Sequence, residues 1–400
     1  TGGDDTGGDD TGGDDTGRCT KDSQCVQGEC CSPHGWCGSG PEYCTDNGGG
    51  GGGGGGGGPK GGLIIHTSGV HGVEGYAGSA VQVAALQHLS ALGESSRRLL
   101  EEALGSTTLV FVHAVNPFGM DAFRRFNEEN VDLNRNALND EGLAEALARD
   151  PNVAGYDDFD ESFFNPRRAP TAMDATMTVW IKAIYAIARN GYVNMKRSIV
   201  AAQYHNAAGI FYGGRELQAS HRLLRDFLSR GGFFDAEGTV TWIDVHTGLG
   251  PRGLDTLMAH SAEEDPAEHF RDTPLPILHG LNKNKKDKKN IDAGSGYDLS
   301  RGVMEDLYYD LFSSSGGAAQ TSGRRKPMIL TQEFGTVNGV MVARAFILEN
   351  MAYHYAAPEE HARWADYTRD AFYVRSDDWR RSILKRGLTV LSQAVVRSAS

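Results

Sequence analysis

The stretch Ser68-Gly69-Val70-His71-Gly72-Val73-Glu74-Gly75 joins an apolar run to a segment with helical spacing. The run before it, residues 63–67, has the composition of a buried strand. Residues 79–92 after it repeat apolar side chains at the spacing of a helix. His71 and Glu74 are therefore predicted to follow the carboxyl end of a parallel strand, where the binding sites of open α/β sheets form.

Further apolar runs and helical patterns extend over the rest of the chain. The predicted strands are residues 107–114, 239–245, 256–259 and 328–331, and the predicted helices are residues 173–202, 215–230 and 377–396. Strands that alternate with helices predict an α/β fold, with a mainly parallel or mixed sheet and helices on both faces. A lysine-rich segment, residues 282–290, is predicted to be an exposed loop.

The sequence before this region has a different composition. Residues 1–17 carry three Thr-Gly-Gly-Asp-Asp repeats and are predicted to be disordered, because they contain no apolar side chain to bury. Residues 18–46 contain all the cysteines, and residues 47–62 form a glycine-rich linker. Residues 63–400 then make up the α/β domain, which is long enough for a sizeable core.

The charge balance argues against two classes of partner. The chain has 39 basic and 52 acidic residues and a net charge of −13, so it lacks the basic footprint of a nucleic-acid-binding protein. It also lacks an apolar stretch of about 18 residues, the length that a membrane span requires. We therefore expect neither a nucleic-acid partner nor a membrane partner.

Six cysteines lie between Cys19 and Cys44, and the 356 residues that follow contain none. An even number of cysteines in so short a segment predicts a three-disulfide framework, which persists only in oxidising compartments. The absence of any cysteine pair with CxxC spacing argues against a zinc ribbon. We therefore expect a secreted protein; no signal peptide is visible before the repeats, so we expect a processed chain or a fragment.

The second half of the cysteine segment, residues 30–44, reads CCSPHGWCGSGPEYC. Its adjacent cysteine pair, its spacings and its Gly-Trp-Cys-Gly piece make it resemble the hevein-type chitin-binding domain. The resemblance implies binding of chitin or N-acetylglucosamine oligomers, with sugar contacts from Ser32, Trp36 and Tyr43. It also implies three disulfides, Cys19–Cys31, Cys25–Cys37 and Cys30–Cys44. His34 stands where the family usually has an aromatic ring, which predicts weaker and pH-dependent binding. The alternative is a disulfide-bonded unit with no ligand.

The HxxE pair His71 and Glu74 has the spacing of two zinc ligands. Similar pairs at residues 260–263 and 269–272 lie in an acidic, loop-like stretch, where a metal site is not expected. A catalytic zinc needs three protein ligands and an open position for water. His246, which follows the predicted strand 239–245, is the third candidate. Asp244 can accept a hydrogen bond from a ligating imidazole, and the alternative is an exposed aspartate at the strand end.

Two other segments supply polar side chains to the predicted sheet end. Glu333 closes the apolar run 328–331, and a carboxylate there can take a proton from an attacking water. Considered alone, it could equally be a solvated strand end. Residues 124–136 contain three arginines and several amides, which suit a substrate carboxylate or an oxyanion. They could equally form surface ion pairs.

Five segments in order make residues 63–346 similar to the zinc carboxypeptidase superfamily, and closest to an uncharacterised carboxypeptidase-like subgroup. The segments are HGVEG at 71–75, NPFGM at 116–120, NVDLNRN at 130–136, DVHTGLG at 244–250 and TQEFGT at 331–336. FYGG at 211–214 also fits the subgroup. The resemblance implies one Zn²⁺ ion held by His71, Glu74 and His246, with Glu333 as the general base. It further implies Asn134 and Arg135 as the pair that holds a terminal carboxylate, and Arg125, or else its neighbour Arg124, as the group that polarises the carbonyl.

The sequence thus favours a secreted zinc hydrolase that binds chitin and cleaves an amide bond near a free carboxylate, in a peptide or an N-acyl amino acid. Residues 140–202 look like an insertion near the site, and the first strand directly follows the linker, so an edge hairpin of the family is missing. The alternative is therefore a chitin-binding protein with an inactive, truncated hydrolase domain. The GxSxG and HExxH motifs are absent, which argues against serine hydrolases and HExxH metalloproteases.

Overall fold

The computed structural model describes Cys30–Cys31, Cys37–Gly38 and residues 59–399, except residues 60, 106, 260–265, 271–277, 280–299 and 315–326. The chain divides into two units, Thr1–Gly55 and Gly56–Ser400. In the first unit, Cys30–Cys31 (β1) pairs antiparallel with Cys37–Gly38 (β2).

Several predictions concern residues outside this description. Each predicted disulfide has one of its two cysteines among these residues. They also include the repeats, the linker from 47 to 58, the loop 282–290 and the sugar-contacting candidates Ser32, His34, Trp36 and Tyr43. These predictions therefore stay predictions.

The second unit is built around a mixed six-stranded sheet with the order β4-β3-β5-β8-β6-β7. Its strands are Leu63–Ser68 (β3), Thr108–Val112 (β4), Val240–Arg252 (β5), Asp255–Ala259 (β6), Leu278–His279 (β7) and Met328–Gly335 (β8). Strands β3, β4, β5 and β8 run parallel, whereas β6 is antiparallel to β8. The first strand of the domain, β3, is paired on both sides, so β4 is the edge strand at this end of the sheet. The predicted α/β class is confirmed.

Apolar residues alternate between the two faces of the sheet because successive strand residues point in opposite directions. Leu63 and Ile65 join one buried cluster with Trp242, whereas Ile64 and Ile243 join another. Both faces are therefore covered by helices, which explains why the strands read as nearly continuous apolar runs.

The helices follow the strands in chain order. They are Gly75–Ala91 (α1), Glu94–Leu104 (α2), Pro117–Asp121 (α3), Asp140–Ala148 (α4), Val179–Asn190 (α5), Tyr192–Val200 (α6), Ala219–Arg230 (α7), Pro266–His269 (α8), Met304–Ser314 (α9), Gly339–Tyr355 (α10), Pro358–Phe372 (α11) and Asp377–Ala399 (α12). Helices α1 and α12 pack on one face of the sheet, and α7 and α9 pack on the other. None of the described helices is long and apolar enough to cross a membrane.

The predicted helical segment 173–202 is largely helical, but it is divided rather than one continuous helix. Asp174–Thr178 is a π-helical turn, and Gly191 separates α5 from α6. Gly191 has a φ of +83°, a conformation that glycine adopts without a steric penalty, and it ends the first helix. Helices α10 and α11, which have no counterpart in the sequence prediction, pack with α5 in a third apolar cluster.

The chain leaves β3 toward β4 on one side and later crosses to β5 on the other side. The crevice between the carboxyl ends of β3 and β5 is thus a topological switch point, the usual ligand position in open α/β sheets.

Candidate metal centre

His71 and Glu74 lie in the short connection between β3 and α1. His71 precedes the 3-10 turn Gly72–Glu74, which leads directly into α1. The amides of Gly72 and Val73 donate to the carbonyls of Arg125 and Arg124, at 3.2 and 2.8 Å. A side chain at Gly72 would not fit, because its Cβ would lie 2.1 Å from the carbonyl carbon of Gly119. The turn is therefore fixed against the segment that carries the two arginines.

Strands β5 and β8 supply the remaining predicted residues. Asp244 and His246 are two positions apart on β5 and so lie on the same side of the strand. Glu333 is the cross-strand partner of His246 on β8. The parallel register alone therefore places these residues at the same end of the sheet as His71.

Glu74 lies between the two imidazoles. His71 Nδ1 is 3.0 Å from Glu74 Oε1, and His246 Nδ1 is 3.2 Å from Glu74 Oε2. The ligand atoms of all three residues lie within 4.8 Å of one another, and in the described part of the chain no other group of three His, Cys, Asp or Glu residues is arranged to hold a metal ion. All three side chains are buried.

Each imidazole is held from outside by a carboxylate. His71 Nε2 lies 3.2 Å from Asp132 Oδ1, and His246 Nε2 lies 2.6 Å from Asp244 Oδ2. Asp244 in turn accepts a hydrogen bond of 2.6 Å from the hydroxyl of Thr67. A partner at Nε2 leaves Nδ1 as the ligand atom, and such carboxylate–histidine pairs orient metal-binding imidazoles. The contact expected between Asp244 and an imidazole is present, and Asp132 makes a corresponding contact that the sequence did not indicate.

The donor set suits zinc. Two imidazole nitrogens and one carboxylate oxygen match a catalytic zinc site, which leaves one coordination position for water or substrate. Three buried carboxylates lie at this group of residues, those of Glu74, Asp132 and Asp244. Such an accumulation of buried negative charge favours a bound cation.

Neighbouring charges shift the pKa values of three of these groups. Burial by itself would raise the pKa of Glu74. The interactions with His71 and His246 lower this pKa by more than burial raises it, so the net pKa lies below the ordinary value. Burial would likewise raise the pKa of Asp132, whereas Arg125 and His71 bring it below the ordinary range. The pKa of His246 is raised, because Asp244 and Glu74 outweigh the effect of burial.

Glu333 differs from the other carboxylates. Its Oε1 accepts a hydrogen bond of 2.9 Å from the amide of Leu249. Burial and the nearby charge of Glu74 raise the pKa of Glu333 to about 7. A carboxylate with this pKa can both accept and return a proton near neutral pH.

The structure distinguishes the two neighbouring arginines. Arg125 Nη1 donates to Glu74 Oε1 over 3.2 Å, so Arg125 lies at the site. Arg124 is directed away from it, because its Nε lies 2.6 Å from Glu349 on α10 and its guanidinium stacks 3.2 Å from the ring centroid of Tyr353.

Asn134 and Arg135 follow Asp132 in the 3-10 turn Leu133–Arg135. Asn134 Oδ1 accepts a hydrogen bond of 2.7 Å from the amide of Met304. Arg135 Nε donates to the carbonyl of Val200 over 3.1 Å, and its Nη1 donates to the carbonyl of Asn134 over 2.6 Å. Both side chains thus hold backbone in place beside the site, and their role toward a substrate stays a prediction.

Residues 56–386 match a protein family described as "Protein of unknown function (DUF2817)". The chain belongs to the DUF2817 family. The match covers the whole sheet and the metal-binding group.

The chain is also similar to solved structures of other proteins. A candidate metallopeptidase from Shewanella amazonensis SB2B is 16% identical, with a TM-score of 0.32, over 74% of this chain and 77% of its own. The murein-tripeptide amidase MpaA from Escherichia coli O157 is 14% identical, with a TM-score of 0.30, over 75% of this chain and 83% of its own. No curated protein matches the sequence.

Proposed function

We propose that residues 63–400 form a zinc-dependent hydrolase of the carboxypeptidase type that cleaves an amide bond near a free carboxylate. The observation that carries the proposal is the group of His71, Glu74 and His246, whose ligand atoms lie within 4.8 Å of one another. Each imidazole also has its own outer carboxylate. When bound, zinc supplies a positive charge that polarises a carbonyl and lowers the pKa of water.

Glu333 is the general base in this proposal. At neutral pH a large fraction of a carboxyl group with a pKa of about 7 is ionised, so it can remove a proton from the attacking water. The same proton then passes to the amide nitrogen as the C–N bond breaks, and the product leaves as a neutral amine. Glu333 is thereby restored to its ionised form.

Arg125 stabilises the oxyanion. Its Nε and Nη1 are bonded to Asp132 and Glu74, which fixes the guanidinium beside the metal-binding group. Arg125 Nη2 makes no hydrogen bond within the described residues and is available to the substrate carbonyl. A charged donor of this kind acts mainly in the transition state, where negative charge develops on the carbonyl oxygen.

The test is the metal content and activity of the full chain with matched variants. The wild-type chain should contain about one zinc ion, as expected for a mononuclear site, and His71→Ala should lose it. Glu333→Gln should keep the zinc, while kcat falls by about 10²- to 10⁴-fold, the usual contribution of a general base. Metal-free wild-type protein, or an unaffected Glu333→Gln variant, would support the alternative of an inactive hydrolase domain in a chitin-binding protein.

The nature of the acyl group separates two versions of the proposal. A carboxypeptidase removes the last residue of a peptide, whereas a deacylase acts on N-acyl amino acids. Both can be assayed with the wild type and Arg135→Ala. The deacylase version does not use the terminal-carboxylate clamp. If Arg135 holds the terminal carboxylate of a peptide, Arg135→Ala should therefore impair peptide cleavage far more than cleavage of N-acyl amino acids.

We also propose that residues 18–46 bind chitin or N-acetylglucosamine oligomers in a secreted protein. The support is the cysteine spacing together with Ser32, Trp36 and Tyr43 at the sugar-contacting positions of the resemblance. The wild-type chain should bind chitin beads, and Trp36→Ala should abolish binding because it removes a stacking ring. Absence of binding by the wild type would contradict this proposal without affecting the hydrolase test.

A further inference from the structure

The guanidinium of Arg125 contacts two aromatic rings in addition to its carboxylate partners. Its Cζ lies 4.9 Å from the ring centroid of Phe211 and 5.4 Å from that of Phe346. Both distances are within the range of cation–π attraction. Phe346 belongs to α10, whereas Phe211 lies in the FYGG segment, to which the proposed function assigns no role.

The backbone of Phe211 is held in an unfavourable conformation. Its φ is +57°, in the left-handed region that a bulky residue rarely adopts. Such strain persists only where surrounding interactions determine the conformation, and it concentrates at functional sites. Here the carbonyl of Phe211 accepts a hydrogen bond of 3.1 Å from the amide of Gln203.

The same segment also holds the carboxylate partner of Arg125. The carbonyl of Tyr212 accepts a hydrogen bond of 2.7 Å from the amide of Asp132. Asp132 Oδ2 in turn accepts from Arg125 Nε over 2.9 Å. Two consecutive residues therefore fix Arg125, one through a ring contact and the other through the backbone of its ion-pair partner.

We infer that Phe211 is a positioning residue for the hydrolysis, acting through Arg125. The Nε and Nη1 bonds hold one edge of the guanidinium, and the ring of Phe211 limits rotation about that edge. Nη2 is thereby kept in place for the substrate carbonyl. This inference rests on the proposed function, because it assumes that Arg125 stabilises an oxyanion.

The kinetic test uses the full zinc-loaded chain and a benzoyl-capped dipeptide with a free carboxylate. Phe211→Leu should lower kcat by about tenfold or more with little change in KM, because the lost constraint matters in the transition state. Phe211→Tyr, which keeps the ring, should retain most of the activity. Phe164→Leu is the matched control, since Phe164 is fully buried in the same apolar cluster and its change should leave kcat unaltered.

A double-mutant cycle distinguishes positioning from general structural support. If Phe211 acts through Arg125, Phe211→Leu should have no further effect on kcat in an Arg125→Ala background. Equal losses in both backgrounds would overturn the inference, and so would the same loss in Phe164→Leu.

A spectroscopic measurement separates failure of this inference from failure of the proposed function. The Nε–Hε resonance of Arg125, assigned by its disappearance in Arg125→Ala, should move in Phe211→Leu and stay in place in Phe164→Leu. An unchanged resonance in Phe211→Leu would overturn the inference. A shifted resonance in a chain that cleaves no amide would overturn the hydrolase proposal and the positioning role of Phe211 in it, and only the contact between Phe211 and Arg125 would stand.

Discussion

Individual carboxylates at the site have different environments, and these environments assign their roles. Glu74 is surrounded by two imidazoles and an arginine and stays ionised, as a metal ligand must. Burial and the charge of Glu74 raise the pKa of Glu333 to about 7, although the hydrogen bond that it accepts from the amide of Leu249 acts in the opposite direction. Two carboxyl groups whose pKa values differ in this way are suited to separate functions, one in acid–base chemistry and the other as a metal ligand.

Asp132→Asn should weaken zinc binding by about 10- to 100-fold, the usual effect of losing an outer partner of a metal-ligating histidine. Asp132 contacts His71 Nε2 and Arg125 Nε, so the change affects a ligand and its neighbour together. Zinc affinity can be measured by competition with a chelator. Asp235→Asn, the same change at an exposed position, is the control, and equal affinities in both variants would contradict the role of Asp132.

The elements differ in how far the sequence reveals them. Strands β3, β5 and β8 were evident as apolar runs, because they are buried on both faces. Helix α10 was missed because its central residues, 342–352, are buried almost without interruption, which removes the polar face that marks a helix. The turn Gly72–Glu74 is only three residues long, and it has no room for a side chain at its first residue, because backbone atoms of Gly119 and Met120 lie close to Gly72.

Gly72→Ala should lower the free energy of unfolding by about 1–3 kcal/mol, the usual effect of overpacking, and should reduce zinc content. The added Cβ would lie 2.1 Å from backbone, so the turn that carries His71 and Glu74 has to shift. Chemical denaturation and metal analysis measure the two effects. Gly93→Ala is the control because nothing lies within 4 Å of its Cβ position, and a similar loss there would refute the steric explanation.

At the scale of the whole molecule, the layered core buries two histidine side chains, and burial disfavours their protonated form. His66 on β3 and His221 on α7 are both fully buried, and burial lowers the pKa of each to about 4. Gln82 lies 3.2 Å from His66 Nδ1, and His221 Nε2 donates to the carbonyl of Leu133 over 2.7 Å. Both histidines are therefore neutral in the folded chain at neutral pH.

Acidification should destabilise the fold through these two histidines. Their unfolded pKa of about 6.5 exceeds the folded value, so the unfolded chain binds more protons between pH 6.5 and 4. The stabilisation is complete above pH 6.5 and is lost as the pH falls toward 4. From pH 8 to pH 5 each histidine should account for a loss of about 2 kcal/mol.

Urea unfolding at pH 8 and pH 5 measures this dependence. His66→Gln should reduce the difference between the two pH values, whatever its effect on stability at pH 8. His88→Gln, at an exposed position on α1, should leave the difference unchanged. If His66→Gln and His88→Gln gave the same pH dependence, burial of His66 would not be its source.

The sequence by itself indicated the α/β class, because apolar strand runs are a local property. It also indicated the zinc-ligand candidates and Glu333, because each lies in or next to such a run. It left Arg124 and Arg125 as alternatives, since adjacent residues share the same local pattern. Only the tertiary structure decided between them, by bringing Glu349 to one and Glu74 to the other. The same holds for the contacts of Asp132 with His71 and of Phe211 with Arg125, which join residues more than 60 positions apart, a separation that local periodicity cannot report.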